Sequence, residues 1–268
     1  MTMKSEQETT FVLNGQPVKA GPGETVLSVA RRHGTDIPAL CHHPALADYG
    51  ACRLCVVEVK WNNRSKLVTS CLYTPYENDG IETNSPRVRA TRRLLLELLW
   101  ARCPDVEAVR ELAREYGVEK PRFQTPTSTA LDRRCVLCGL CIRVCAEVIG
   151  QHAIGYAHRG VDREVTTPFT ETSEACIGCG ACVAVCPTGA LHMDVVQGEI
   201  VMRELNTRMP MAGCKECGRP FAAARQVAKA RSRIPANGDA FDLCPECKRA
   251  VLCQKVEKNV FVESQKND

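Results

Sequence analysis

Eighteen of the 268 residues are cysteine, and sixteen of these fall into four sets of four. The sets are Cys41, Cys52, Cys55 and Cys71; Cys135, Cys138, Cys141 and Cys145; Cys176, Cys179, Cys182 and Cys186; and Cys214, Cys217, Cys244 and Cys247. Cys253 trails the last set and Cys103 stands alone. The first ten residues contain no apolar signal-like run, so a cytoplasmic chain holding metal is expected, not a disulfide-stapled one. Aromatic residues make up only 5% of the chain, which favours several small metal-organised domains over one large core. Four quartets imply four centres.

The formal charge of +4 counts every thiol as neutral. A four-thiolate centre carries roughly −2 whether it holds zinc or an oxidised iron–sulfur core, so four of them bring the loaded protein to about −4. That removes the main support for a nucleic-acid partner. The longest apolar stretch, Leu94 to Trp100, is interrupted by Glu97 and is too short to span a bilayer.

The second and third sets are an internal repeat, Cys135-Val-Leu-Cys138-Gly-Leu-Cys141-Ile-Arg-Val-Cys145 and Cys176-Ile-Gly-Cys179-Gly-Ala-Cys182-Val-Ala-Val-Cys186. A C-x2-C-x2-C-x3-C run wraps three thiolates around one iron–sulfur cube and sends its fourth to the other. One [4Fe–4S] cluster is therefore expected on Cys135, Cys138, Cys141 and Cys186, and a second on Cys176, Cys179, Cys182 and Cys145. Gly139 and Gly180 leave the backbone free to approach the sulfides. Arg133, Arg134 and Arg143 crowd the first run while Glu171 and Glu174 precede the second, so the Cys135 cluster is expected to have the higher potential.

The first set spaces as C-x10-C-x2-C-x15-C, with the central C-x2-C and distant last cysteine of a plant-type [2Fe–2S] site but a longer first loop. Around it, Thr10–Leu13 and Gln16–Ala20 flank an Asn14-Gly15 hairpin turn, and Thr25 caps a short helix that ends at Gly34. Two strands follow around Asn62-Asn63, and Ile81–Thr83 is expected at a sheet edge. His42 and His43 are read as loop residues, since four cysteines already complete the site. Ser85-Pro86 opens a helix through Leu94, Leu95, Leu98 and Leu99 to about Arg102, and a second runs from Asp105 to Tyr116. Residues 119–130 have linker composition. Cys103 is expected to be a small buried hydrophobe.

In the last set, Cys214-Lys-Glu-Cys217 and Cys244-Pro-Glu-Cys247 are two knuckles able to converge on one tetrahedral ion, with a helix expected between them from about Ala222 to Arg231. Zinc is the expected occupant, and a single iron or a third cube are the alternatives.

Residues Asp36 to Pro44 (Asp-Ile-Pro-Ala-Leu-Cys-His-His-Pro) and Gly50 to Val59 (Gly-Ala-Cys-Arg-Leu-Cys-Val-Val-Glu-Val) resemble the N-terminal [2Fe–2S] domain of the large peripheral iron–sulfur subunit of respiratory complex I. That module also occurs in NAD-linked hydrogenases and formate dehydrogenases. Residues 131–191, with Ala153-Ile-Gly-Tyr156 and Thr166-Thr-Pro-Phe169, resemble the two-cluster segment of those hydrogenase and dehydrogenase subunits. The resemblance, which covers about residues 9–192, implies an α+β chain with a β-grasp [2Fe–2S] domain over 1–84, a helical spacer and linker over 85–125 and a ferredoxin-like 2×[4Fe–4S] domain over 126–205. The two knuckles, outside the resemblance, add an expected zinc-ribbon-like module over 206–268. The resemblance also implies an electron-relay subunit of a multisubunit NAD(P)-linked oxidoreductase. Its expected partners are a flavin/NAD(P)H-binding iron–sulfur subunit, a hydrogenase or formate dehydrogenase catalytic subunit, and soluble ferredoxin. Many relatives carry a further cluster on one histidine and three cysteines after the first helix; Leu98 to Gly117 offers Cys103 alone, so that cluster is expected to be missing.

No nucleotide-binding glycine motif, zinc-protease helix, nucleophile elbow or carboxylate pair supplies catalytic residues. Two other readings remain. One is the iron–sulfur subunit of a succinate dehydrogenase or fumarate reductase, whose first cysteines are more closely spaced. The other is a zinc-dependent nucleic-acid-binding regulator using Arg219, Arg225, Lys229, Arg231 and Arg233.

Overall fold

The computed structural model describes residues 8–124, 131, 133–235 and 241–264, so part of the expected linker, 125–130, lies outside the described residues. The chain divides into two compact units. The first comprises residues 1–150, 156–165 and 182–191, and the second residues 151–155, 166–181 and 192–268.

The first unit begins with strands β1 (Thr9–Leu13) and β2 (Gln16–Ala20), paired antiparallel around Asn14 and Gly15, both at positive φ. Two left-handed residues in succession give the turn whose twist matches the flanking strands. Helix α1 (Val26–Arg32) is capped by the Thr25 hydroxyl, which accepts from the Ser28 N–H at 3.4 Å. Strands β3 (Val56–Trp61), β4 (Arg64–Thr69) and β5 (Gly80–Glu82) complete a sheet of order β2-β1-β5-β3-β4. Val26, Leu27, Val29 and Ala30 of α1 pack on Phe11, Leu13, Val57, Val59 and Ile81 of this sheet, a core almost wholly removed from water.

The edge position expected for Ile81–Thr83 is incorrect. β5 lies in the middle of the sheet, parallel to β1 and antiparallel to β3, with Ile81 buried. A three-residue strand is too short to display the alternation that separates an edge from a centre.

Helix α2 (Pro86–Arg102) starts at a Ser85 cap with proline at its first position, and α3 (Glu107–Glu115) starts two residues later than expected. The delay has a cause: Asp105 is held in a two-bonded ion pair by Arg133, and Val106 becomes the cap. The buried stripe of α2 is Val88, Arg92 and Leu96, with Glu97 beside it, whereas Leu94 and Leu98 are exposed. The first cysteine run continues into α4 (Leu140–Arg143) and a wide π-type turn over Val144–Val148. Strands β6 (Gly155–Ala157) and β7 (Glu164–Thr166) form a two-stranded sheet, and α5 (Ala181–Ala184) carries Cys182.

The second unit contains an antiparallel sheet of order β11-β10-β9-β8, built from β8 (Asp194–Val196), β9 (Glu199–Met202), β10 (Thr207–Gly213) and β11 (Pro220–Ala223). β9 pairs with β10 on either side of the expected start of the last module at residue 206, so the tail is built onto the strand before it. Helices α6 (Ala224–Arg233) and α7 (Pro245–Ser264) follow. No helix among the described residues is long and apolar enough to cross a membrane.

Candidate iron–sulfur and metal sites

Cys41, Cys52, Cys55 and Cys71 are all buried. They come from the loop after α1, the turn leading into β3 and the residue two places beyond β4. Gly50 and Arg53, both at positive φ, fold the turn tightly enough that a Cβ on Gly50 would lie 2.6 Å from a Leu72 methyl. The sulfurs fall into pairs. The Cys52 N–H donates to the Cys41 Sγ at 3.4 Å, and the Cys55 and Cys71 sulfurs are 3.3 Å apart. Hydrogen bonding within each pair holds the Cys41 and Cys55 thiols down to about 6 and drives their partners up. Backbone N–H groups of Cys52 and Ala51 further favour the Cys41 thiolate. Two thiolates for each of two irons is the donor set a [2Fe–2S] core requires, so the residues fit that group. His42 Nδ1 lies 2.7 Å from Asp48, and His43 Nδ1 accepts from the Ala45 N–H, so both rings organise the loop.

Cys135, Cys138, Cys141 and Cys186 line one apolar pocket, with Leu131, Val136, Val165 and Leu191 among its walls. Three of the thiols come from one run and the fourth from the other. Burial, with the neighbouring thiols second, pushes Cys138 up to about 12 and Cys141 higher. A metal that displaces those protons relieves the cost of crowding anionic sulfur into an apolar space. The Ala190 N–H donates to the Cys186 sulfur at 3.2 Å. Gly139 sits at φ +72°, and a Cβ there would meet the Tyr156 hydroxyl at 2.8 Å. These residues fit a cubane cluster.

Of the remaining four, Cys145 and Cys182 belong to the first unit, and Cys176 and Cys179 to the second. Cys176 follows a tight turn closed by its N–H on the Ser173 carbonyl. Arg225 of α6 donates to the carbonyls of Ser173, Glu174 and Cys176. Gly178 at φ +68° leaves no room for a Cβ against Met209 and Ala223.

Cys214, Cys217, Cys244 and Cys247 converge: their four sulfurs all lie within 4.8 Å of one another. Four thiolates bound at about 2.3 Å to one tetrahedral ion sit about 3.8 Å apart. The Cys217 and Cys244 sulfurs are 3.8 Å apart. A cube attaches each thiolate to a different iron and spreads them further, so this quartet fits a single ion. The Cys244 N–H donates to the Cys214 sulfur, and the Arg219 side chain lowers the exposed Cys217 thiol. Leu243, Phe221 and Val251 are the small core around the site.

Cys103 is buried beside α2, its thiol donating to the Leu99 carbonyl at 2.9 Å. Three arginines end on ligand-loop carbonyls: Arg92 on Leu54 and Val56, which the sequence did not single out; Arg143 on Cys41, expected only as charge beside the first run; and Arg225 on Ser173, named above only as a nucleic-acid contact. Arg92 had a readable signal, a charge at the centre of the Val88/Leu96 helical stripe.

Comparison with known proteins agrees with these sites at the level of domains. A 2Fe-2S iron-sulfur cluster binding domain model matches residues 6–86, and two 4Fe-4S dicluster domain models match residues 134–190 and 169–223. The chain is 31% identical over 176 residues to an NADH-quinone oxidoreductase subunit of Rhizobium meliloti, covering 58% of this chain and 20% of that protein. It is 31% identical over 175 residues to the NADH-ubiquinone oxidoreductase 75 kDa subunit of Reclinomonas americana, covering 58% and 25%. It is 29% identical over 199 residues to the mitochondrial NADH dehydrogenase [ubiquinone] iron-sulfur protein 1 of Solanum tuberosum, covering 67% and 27%. It thus spans about a quarter of the length of these curated relatives. Among solved structures, a chain of an NAD+-reducing [NiFe]-hydrogenase in the H2-reduced state is 31% identical with a TM-score of 0.52, covering 59% of this chain and 74% of that one.

Proposed function

We infer the role of this chain from the family to which it belongs, the iron–sulfur electron-transfer subunits shared by NADH-quinone oxidoreductases and NAD+-reducing hydrogenases. It relays electrons within an NAD(P)-linked oxidoreductase complex, between a flavin/NAD(P)H-binding subunit and a hydrogenase or formate dehydrogenase catalytic subunit. Soluble ferredoxin is a further electron partner of this reading. The observation that carries it is the first unit, which brings together a buried pair-of-pairs quartet and a cavity lined by four cysteines from both runs.

We assign the [2Fe–2S] core to Cys41, Cys52, Cys55 and Cys71 in a β-grasp domain. One [4Fe–4S] cluster goes to Cys135, Cys138, Cys141 and Cys186, and the other to Cys176, Cys179, Cys182 and Cys145. These clusters supply one-electron chemistry. The protein contributes burial, N–H donors to sulfur and nearby guanidinium charge, which set how easily each cluster is reduced. Cys214, Cys217, Cys244 and Cys247 hold zinc as a structural element supporting a docking surface, a reading favoured by the short sulfur separations and the small surrounding core.

Anaerobic affinity purification of the full chain from its native cells tests this reading. The expected result is co-purification of a flavin-containing NAD(P)H oxidoreductase subunit, and bleaching of the iron–sulfur absorbance on adding NAD(P)H to the complex. A chain isolated without any redox partner, whose chromophore ignores NAD(P)H in fresh lysate, contradicts it.

A further inference from the structure

Arg92 carries a permanent charge and is 2% exposed. Its Nε donates to the Leu54 carbonyl at 3.0 Å, its Nη2 to the Val56 carbonyl at 2.8 Å and its Nη1 to the Tyr116 hydroxyl at 2.9 Å. All three partners are neutral, and no carboxylate among the described residues pairs with it. A buried guanidinium does not shed its proton, so it requires an opposite charge nearby. The two carbonyls it grips flank Cys55, inside the turn that also presents Cys52. A [2Fe–2S] core with four thiolates carries about −2, and one added electron makes it −3. A core held by the turn that Arg92 grips would supply that opposite charge. Arg143 and Arg225 also terminate on ligand-loop carbonyls, and the Arg143 charge favours the Cys41 thiolate, but both are more exposed than Arg92.

We propose that Arg92 is the resident counter-ion of the [2Fe–2S] centre, a positioning residue that favours its reduced state and ties α2 to the ligand turn. The inference rests on the assignment of Cys41, Cys52, Cys55 and Cys71 to that centre. Because reduction deepens the negative charge, the buried cation stabilises the reduced cluster more than the oxidised one. Tyr116, which caps the guanidinium from just beyond α3, contributes geometry but no charge.

The test is an anaerobic, EPR-monitored titration of the full chain with dithionite and redox mediators. In Arg92→Gln the reduced-to-oxidised ratio of the [2Fe–2S] signal at a fixed potential falls about tenfold, equivalent to about 59 mV for one electron. The [4Fe–4S] signals serve as an internal reference and stay in place. Arg92→Lys, which keeps the charge, remains within about threefold of the parent chain. Tyr116→Phe, which keeps the charge but loses a hydrogen bond, lowers thermal stability without moving the potential. A loaded Arg92→Gln chain with an unchanged potential makes Arg92 a mechanical brace and overturns the proposal. Should Arg92→Gln fail to load its cluster, Arg92→Lys decides: a loaded cluster at the parent potential supports the counter-ion role, and failure to load or a tenfold loss overturns it. A parent chain with no [2Fe–2S] signal would sink the site assignment and the proposal together, whereas an unmoved potential sinks the proposal alone.

Discussion

The Nη2 of Arg143 donates a 2.7 Å hydrogen bond to the carbonyl of Cys41, 102 residues earlier in the chain. The same guanidinium bonds the Ala47 carbonyl, while the Ala47 N–H donates at 2.9 Å to Glu147. The helix between Cys138 and Cys145 is thereby clasped to the loop that carries the first cysteine. On the proposed cluster assignment, this clasp would fix the separation of two centres within one compact unit.

Replacing Arg143 by Gln removes two charged hydrogen bonds and should cost about 1.5–3 kcal/mol. The expected outcome is a lower melting temperature for the first unit and faster proteolysis near residues 119–124, with the cysteines still able to load metal. A melting temperature and cleavage rate equal to the parent's would mean that the clasp is decorative.

Cys186→Ser should damage the cluster assigned to Cys135, Cys138 and Cys141, although the substitution lies in the other run. The shared cavity is the reason. Mössbauer and EPR spectra of the variant should retain the [2Fe–2S] signal and the second cube. Loss of the Cys176 cluster in its place would refute the crossed assignment.

Acid stability should depend on Glu58. Its carboxylate accepts from the Ser85 hydroxyl at 2.6 Å, and that hydrogen bond holds it below its ordinary value of 4.5. Ser85 in turn caps α2. A carboxylate with a lowered folded-state value stabilises the fold above its unfolded value, and the stabilisation fades as pH falls through the folded one. Glu58→Gln should therefore cost about 1 kcal/mol at pH 7 and flatten the fall in stability below about pH 4.5. Denaturation midpoints between pH 7 and pH 3 that track the parent's would contradict this.

Much of this organisation was legible in the sequence because cysteine spacing is set by the geometry of the metal centre it must satisfy. The C-x2-C-x2-C-x3-C runs announced a shared cavity, and Asn14-Gly15 announced a hairpin. Charge was less legible. Arg133 counts as positive potential beside the first run when adjacent residues are tallied, yet Asp105 neutralises it through bonds of 2.6 and 2.8 Å. Conversely Arg225, far from the second run in sequence, reaches its carbonyls. The potential difference expected between the two cubes is correspondingly smaller than the neighbouring residues imply. β5 escaped placement because three residues carry no period, and the tail's continuity with β9 because cysteine spacing says nothing about which strands pair.

Counting the reducible centres tests the relay reading most directly. The full chain, purified anaerobically, should be titrated with dithionite while EPR spins, iron, acid-labile sulfide and zinc are quantified. The expected result is three one-electron centres, one with a [2Fe–2S] spectrum and two with [4Fe–4S] spectra, about ten irons and one zinc per chain. A third cube with no zinc would overturn the single-ion reading of Cys214, Cys217, Cys244 and Cys247. A chain lacking labile sulfide and reducible spins would contradict the relay itself.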